Sequence, residues 1–383
     1  MSEHLPREQC KILVLGAGYA QLDLIALCRE LGMTVHACSN RATDPGKDLA
    51  DHFALIDIVD RDGVTKYVDK HGIHYVYSVG ADLAMPVISE VSKWLGLPYL
   101  VDPEVAKRCV VKSSWRGYLG SDFEGNVPFR VVQSLEEALE YNRYPSVIKP
   151  VDSQGQRGVF AVKSEEELCK CFHNALKHSR SGSVIVEDLV AGPEVSVNTH
   201  FVEGEITFFA LSDRISWSCF PGGIIKKHRF PSSVCDRGMA DATYELVCRA
   251  ARKIGIRSGP AYFQVKFSGR QPKLIEITPR LDGGHHWRYL KMVTGVDILR
   301  QAIEHLKGNP PAKSPDRSFS SVGAVDMEYL FEKPGEKMKR DRYDVAMADF
   351  HQWYYEDGQV VRPLNGYFEK VGYVILANKW PVR

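Results

Sequence analysis

The segment Leu274-Ile275-Glu276-Ile277-Thr278-Pro279-Arg280-Leu281-Asp282-Gly283-Gly284 constrains this chain more than any other. Apolar residues alternate with Glu276, Thr278, Arg280 and Asp282, so a strand's period of two puts all four on one face. A buried strand rarely aims two carboxylates, a hydroxyl and a guanidinium into one space unless charged ligands receive them. A divalent cation on the carboxylates and an anion on the arginine would satisfy the set. The alternative for this segment alone is an edge strand whose polar face is solvated.

A second segment, Ser146-Val147-Ile148-Lys149-Pro150-Val151-Asp152-Ser153-Gln154-Gly155-Gln156-Arg157-Gly158-Val159, bears on that choice. It reads as a strand ending in a lysine, a glycine-bearing loop, and a second strand over 159–162. Gly155 and Gly158 let backbone amides turn toward an anion, while Lys149 and Arg157 add charge. It is not a P-loop, because the G-x-x-x-x-G-K-S/T pattern is missing and a strand follows instead of a helix. A polar hairpin turn is the alternative if the segment stands alone.

With three further pieces, these segments resemble the ATP-grasp superfamily, ligases that activate a carboxylate as an acyl phosphate. Residues 108–119 (RCVVKSSWRGYL) are similar to the helix carrying the family's first nucleotide lysine, here Lys112. VEDLVAGPE at 186–194 resembles the adenine hinge and the ribose-binding glutamate, and GPAYFQVKF resembles the first of two metal-binding strands, of which LIEITPRLDGG is the second. The pieces fall in family order over nearly the whole chain. The branch they resemble holds amino-acid ligases, biotin carboxylases and purine-pathway carboxylating enzymes.

The resemblance implies an α/β fold: a Rossmann-like domain ahead of the ATP-grasp unit (1–101) and a linking helix (102–126). A mobile α+β lid (127–189), a catalytic subdomain (190–315) and a small β-rich C-terminal subdomain (316–383) follow. It also implies the site. Lys112 and Lys149 neutralise nucleotide phosphates, and Ser153, Gln154, Gly155, Arg157 and Gly158 form the phosphate loop. Glu187, Asp188 and Leu189 read adenine, and Glu194 the ribose. Gln264, Glu276 and Thr278 stand at the metal positions. Arg280, with Lys227 and His228, makes up the catalytic set. The cofactors would be ATP and Mg²⁺, with Mn²⁺ as a substitute. The partners would be a small-molecule carboxylate and amine and a second copy of the chain, in the cytoplasm.

Two residues depart from the family pattern. Gln264 stands where the first metal strand usually has an acid, and Thr278 where the second usually has asparagine. Both are neutral oxygen ligands, so a two-metal site loses a negative charge unless Asp282 compensates. A degenerate nucleotide-binding member and a phosphotransferase on the same fold remain as alternatives.

The remaining features narrow the class. The 383 residues are 44% hydrophobic, enough for several modules, and the net charge of +1 favours neither nucleic acid nor an acidic membrane surface. No run of 18 apolar residues occurs, the N-terminus lacks signal-peptide order, and the 9 cysteines are scattered without a C-x-x-C, which suits reduced thiols. Strands at 11–16, 35–38 and 75–79, with a helix over 22–31, read as a parallel layer. Gly16-Ala17-Gly18 could begin a dinucleotide fingerprint and make the chain an oxidoreductase. Gln21 at the third glycine position and Ser39-Asn40 at the second strand's end oppose that. The stretch 220–231 interleaves Lys226, Lys227, His228 and Arg229 with glycine and apolar residues, suiting an anion-binding loop or a solvated one. His285 and His286 point different ways, so at least one is structural.

Overall fold

The computed structural model describes residues 10–153, 157–217, 223–312, 323–363 and 368–377. The first layer is a parallel sheet of β1 (Lys11–Leu15), β2 (Thr34–Ser39), β3 (His52–Leu55) and β4 (Tyr75–Tyr77), in the order β3-β2-β1-β4. The run Ile12–Leu15 is wholly buried, as a parallel strand covered on both faces must be. Helices Leu22–Glu30, Arg61–His71 and Ala84–Trp94 belong to this layer. In the glycine turn after β1, the Gln21 side chain folds back against Gly16 and Gly18. Its Oε1 accepts from the Gly18 amide at 3.0 Å and its Nε2 donates to the Val79 carbonyl at 2.6 Å.

The helix expected over 108–119 is two helices, Pro103–Val110 and Lys112–Leu119, broken at Val111 (φ −103°, ψ 119°). The Lys112 amide leaves the helical ladder to donate to the Val151 carbonyl at 3.0 Å. That exchange ties the lysine to the strand carrying Lys149.

A small antiparallel sheet follows: β5 (Phe129–Val132), β6 (Ser146–Pro150), β7 (Phe160–Val162) and β8 (Val184–Asp188), in the order β5-β8-β6-β7. Helices Leu135–Leu139 and Glu165–Lys177 pack Ala138, Leu168 and Phe172 onto Val132, Ile148, Val162 and Val186. Each helix starts on a serine, Ser134 or Ser164, that accepts from the amide three residues on. This unit has its own core.

The large sheet holds β9 (Glu194–Val202), β10 (Glu205–Ser216), β11 (Ile225–Phe230), β12 (Gly259–Ser268), β13 (Gln271–Thr278), β14 (Val325–Glu332), β15 (Phe350–Trp353) and β16 (Glu369–Ala377). Its order is β13-β12-β9-β10-β11-β14-β16-β15. The C-terminal strands therefore extend this sheet, although Met338, Tyr355, Val361 and Val371 form a small cluster of their own. After β14 the chain returns to the sheet at Phe350, where β15 begins. The residues 220–222 of the basic stretch lie outside the described set, and 225–230 form β11 in mid-sheet, not a loop.

The first layer is clasped onto the end of β13. Gly80 and Gly283 meet so closely that a Cβ on Gly80 would lie 2.6 Å from the Gly283 Cα, and the Gly80 amide donates to the Leu281 carbonyl at 3.2 Å. Buried Asp23 accepts from Trp287 Nε1 at 2.8 Å and from Arg288 Nε at 3.0 Å, and pairs with His285 Nδ1 at 3.0 Å. Burial pushes the Asp23 carboxyl up, but His285 and Arg288 outweigh it and hold it at about 2. Among the described residues no helix is long and apolar enough to cross a membrane.

Candidate functional site

A cavity of about 930 Å³ opens between the small and large sheets. From the small-sheet side it is lined by Lys112, Lys149, Ser153, Arg157 and Gly158, and by Glu187, Asp188 and Leu189. From the large-sheet side come Glu194, Gln264, Glu276, Arg280 and Asp282. Gln154 and Gly155 lie outside the described residues. Residues spread over 170 positions of sequence thus face one space, because the face of β6 and β8 that carries Val147, Lys149 and Glu187 lines the same cavity as Gln264 and Glu276 of β12 and β13.

Around Lys149 the charges are packed and dry. Its Nζ lies 2.5 Å from Glu187 Oε1, and Arg116 Nη2 lies 2.8 Å from Glu187 Oε2, with Arg116 fully buried. Burial pulls the Lys149 ammonium down to about 8; Glu187 opposes this, while Arg116 and Lys112 add to it. Burial also pushes the Glu187 carboxyl up, but Arg116 and Lys149 outweigh it and keep it below the usual range. Lys112 donates to the Ser153 carbonyl at 2.6 Å, tethering the start of the glycine loop. Both Glu187 oxygens thus lie in ion pairs, Oε1 with Lys149 and Oε2 with Arg116. The amides of Asp188 and Leu189 are engaged too, donating to the Pro128 and Pro145 carbonyls at 3.1 Å. Val147, Phe160 and Leu189 from this wall, with Ile275 opposite, give the cavity an apolar slot.

The hinge into the large sheet needs its glycine. A Cβ on Gly192 would sit 1.9 Å from the Phe267 carbonyl oxygen, so only glycine lets 192–193 cross β12 here. Beyond it, Glu194 accepts from Arg214 Nη1 at 2.5 Å and from the Gln264 Nε2 amide. Gln264 stands opposite Glu276 in the β12–β13 register, and Ile275 is bulged there. Bulges commonly re-aim side chains beside a site, and both Ile275 and Glu276 line the cavity. Arg280 is fixed by Asp82 of the first layer, with Nη2 at 2.6 Å and Nε at 2.8 Å from Oδ1. Burial would lower the Arg280 guanidinium, but Asp82, Asp282 and Glu276 more than offset it. Asp282 is held low by His286 and Arg280 against the opposing effect of burial.

Three expected residues lie elsewhere. Thr278 is 2% exposed, and its hydroxyl turns back toward the Tyr262 carbonyl at 3.5 Å. Lys227 pairs with Asp326 and Glu328 of β14, each at 3.3 Å. His228 is buried with its ring centroid 4.1 Å from that of His286, and burial holds it well below its usual range. The basic stretch is thus cross-strand ion pairing on β11, with Arg229 also on Asp326. Both His285 and His286 are buried and structural: His285 binds Asp23, and His286 sits between Asn198 and Asp282.

Three cavity residues escape the sequence reading. Arg214, at the end of β10, has a side chain only 7% exposed. Lys370 of β16 rests its ammonium 3.4 Å from the centroid of the Tyr329 ring, and burial pulls it down to about 8 while Asp282 opposes this. Asp82 follows β4. A charge inside an apolar strand run flags the first two, and the carboxyl end of a parallel strand flags the third.

Whether these residues suit a divalent cation depends on their donor atoms. Glu276 makes no hydrogen bond or ion pair among the described residues, so its carboxylate is available. Gln264 presents its NH₂ to Glu194, and Thr278 is turned away. Among the described residues there is no group of three or more His, Cys, Asp or Glu able to hold a metal alone. One carboxylate with phosphate oxygens fits Mg²⁺, which keeps several waters and binds through one or two carboxylates and its substrate's phosphates. Of the three residues expected at the metal positions, Glu276 is the one that presents a carboxylate to the cavity.

Comparisons with known proteins agree with this geometry. Residues 142–287 match the family model described as the ATP-grasp domain. A formate-dependent phosphoribosylglycinamide formyltransferase of Corynebacterium jeikeium (strain K411) is 29% identical over 379 residues, covering 88% of this chain and 89% of that protein. Other formyltransferases of that name are matched over 47% of their own length. The structure of an L-amino acid ligase from Bacillus licheniformis superposes with a TM-score of 0.79 at 17% identity, covering 97% of this chain and 94% of that one. That of the N5-carboxyaminoimidazole synthetase from Staphylococcus aureus, complexed with ADP, gives 0.75 at 15% identity, covering 97% and 94%. At these identities the structures speak for the fold.

Proposed function

From the ATP-grasp domain that this chain carries, we propose that the protein is an ATP-dependent carboxylate–amine ligase. It joins the two through an acyl phosphate and releases ADP and phosphate. The observation that carries this reading is the single cavity in which Lys112 and Lys149 face Glu276 and Arg280.

Lys112 and Lys149 hold nucleotide phosphate oxygens as point charges. The apolar slot of Val147, Phe160, Leu189 and Ile275 takes the adenine faces. Arg214 and Gln264 occupy Glu194 Oε1, which leaves Oε2 for a ribose hydroxyl. Glu276 would hold Mg²⁺, or Mn²⁺ in its place, which would supply positive charge to offset that on the transferred phosphoryl group. A substrate carboxylate oxygen then bonds to the γ-phosphorus in line as the bond to the β-bridging oxygen breaks and ADP leaves. The amine nitrogen bonds to the acyl carbon, the acyl carbon–oxygen bond breaks, phosphate departs, and the amine proton passes to solvent. Arg280, fixed by Asp82, offsets the charge developing on the acyl oxygen. Positioning and charge neutralisation are the main demands of such a reaction.

The carboxylate and amine named by the Corynebacterium jeikeium relative, formate and phosphoribosylglycinamide, are the first pair to assay. The wider set is small carboxylates and amines, with the chain acting as a homodimer. The test measures ADP release over acid and amine libraries, with mass analysis of products with and without amine. An amide product formed only with both substrates is expected; a stable phosphorylated product regardless of amine means a phosphotransferase. Mg-ATP at 100 times its Kd should raise unfolding stability by about 2.7 kcal/mol, and NAD should not. Stabilisation by NAD and not by Mg-ATP overturns the reading.

A further inference from the structure

We propose that Arg214 supplies, as a fixed side chain, the positive charge a second divalent cation would bring, so that the site loads one divalent ion per nucleotide. The inference rests on the nucleotide reading above and concerns only this chain's own residues.

Arg214 enters the cavity from the end of β10 and is almost wholly enclosed. Its Nη1 lies 2.5 Å from Glu194 Oε1, and its buried Nε has no hydrogen-bond partner. Burial alone would lower its affinity for the proton. Glu194, Tyr262, Glu276 and Asp282 outweigh burial and hold it charged, so one guanidinium serves carboxylates from β9, from β13 and from the turn after β13.

Gln264 completes the argument. It stands between Ser196 and Glu276 in the sheet register and gives Nε2 to the carboxylate that Arg214 also holds. The opposite orientation of the amide would press its oxygen against a carboxylate oxygen, so the donor role follows from chemistry. A glutamate at 264 would place two carboxylates against each other, with Glu276 adjacent. Relative to a site with glutamate at 264 and a neutral residue at 214, this one is more positive by two charges. One charge comes from Gln264 and one from Arg214. Two charges are what one divalent ion carries. Glu276 is left as the sheet carboxylate without a hydrogen bond or ion pair among the described residues, and it serves the ion that travels with the phosphates.

The test counts Mn²⁺ bound to the full chain at saturating non-hydrolysable ATP analogue, by electron paramagnetic resonance of the free ion. One Mn²⁺ per bound nucleotide is expected for the wild type and for Arg214→Lys. Two are expected for the double variant Arg214→Gln with Gln264→Glu. Two ions on the wild type, or one on a folded double variant, overturn the inference and leave the ligase reading intact. If the double variant does not fold, Gln264→Glu alone decides: a second ion bound at least tenfold tighter than by wild type supports the proposal, and no change rejects it. Failure of the analogue to bind, with or without Mn²⁺, instead overturns the nucleotide reading and this inference with it.

Discussion

The two walls of the cavity differ in their balance of charge. Around Lys149 on the small-sheet wall, Lys112, Arg116 and Lys149 surround one carboxylate, Glu187. On the large-sheet wall, Arg214, Lys266, Arg280 and Lys370 meet four carboxylates: Asp82, Glu194, Glu276 and Asp282. The first wall is short of anions, and burial makes that shortage costly, which is why Lys149 is pulled down to about 8. The second is balanced, four cations against four carboxylates, with Glu276 left outside its hydrogen bonds and ion pairs among the described residues. A nucleotide with its phosphates toward the first wall corrects the shortage there and brings its cation to Glu276.

The comparison breaks most readily at Glu187. Glu187→Ala leaves buried Arg116 and Lys149 facing each other without their shared carboxylate, and is expected to destabilise the free protein by about 3–5 kcal/mol in urea unfolding. Glu276→Ala removes no ion pair and should stay within about 0.5 kcal/mol of wild type. Equal losses would mean the walls do not differ. A smaller effect separates their ligands. Lys149→Ala should weaken nucleotide binding measured without metal by about 1.5–3 kcal/mol, the worth of a hydrogen bond to a charged group. Glu276→Ala should leave that affinity nearly unchanged while abolishing turnover, with partial recovery at raised Mg²⁺ or in Mn²⁺. The reverse assignment of the two defects would exchange the roles of the walls.

The smallest effect is one of pH and has two signs. Folded Lys149 loses its proton near pH 8, while the unfolded chain holds it to about 10.5. Between these values the unfolded state binds more protons, so Lys149's contribution to free-protein stability rises with pH. Nucleotide affinity runs the other way and falls above pH 8 by at most about 1.4 kcal/mol per unit, because the anion needs the ammonium. Calorimetry from pH 7 to 10 checks this. Lys149→Arg should flatten the affinity slope, and Lys370→Arg, on the opposite wall, should leave it in place.

Much of this was legible in the sequence, for physical reasons that differ by residue. Strands such as Val184–Asp188 and Gln271–Thr278 announce themselves as short apolar runs, and within the second Glu276 and Thr278 keep a period of two. Lys149, Glu276 and Arg280 stood out because a strand seldom carries such groups inward without a ligand. The break at Val111 was not legible, since it depends on a hydrogen bond to Val151, distant in sequence. Nor was the fate of Lys227 and His228. Only β14, a hundred residues later, supplies Asp326 and Glu328 and turns a basic loop into a paired strand. Thr278 has the right period, yet its hydroxyl is turned to a backbone carbonyl. Arg214 and Lys370 were missed because each sits beside an acidic neighbour, Asp213 or Glu369, near one end of an apolar strand, and only the assembled sheet gathers them.

The clasp between the first layer and the end of β13 also sets an order of events for a chain being made. Gly80 must wait for Gly283, Asp82 for Arg280, and Asp23 for Arg288. At a synthesis rate of roughly 5–20 residues per second, about 200 intervening residues take on the order of 10–40 s. Throughout that interval the parallel layer can be complete, but its docking face, with two acidic side chains meant for burial, stays in water. The small sheet has no such delay, since its core lies within residues 132–186. Contacts of such long sequence separation are among the slowest to form. The layer translated first is therefore the last to be sealed.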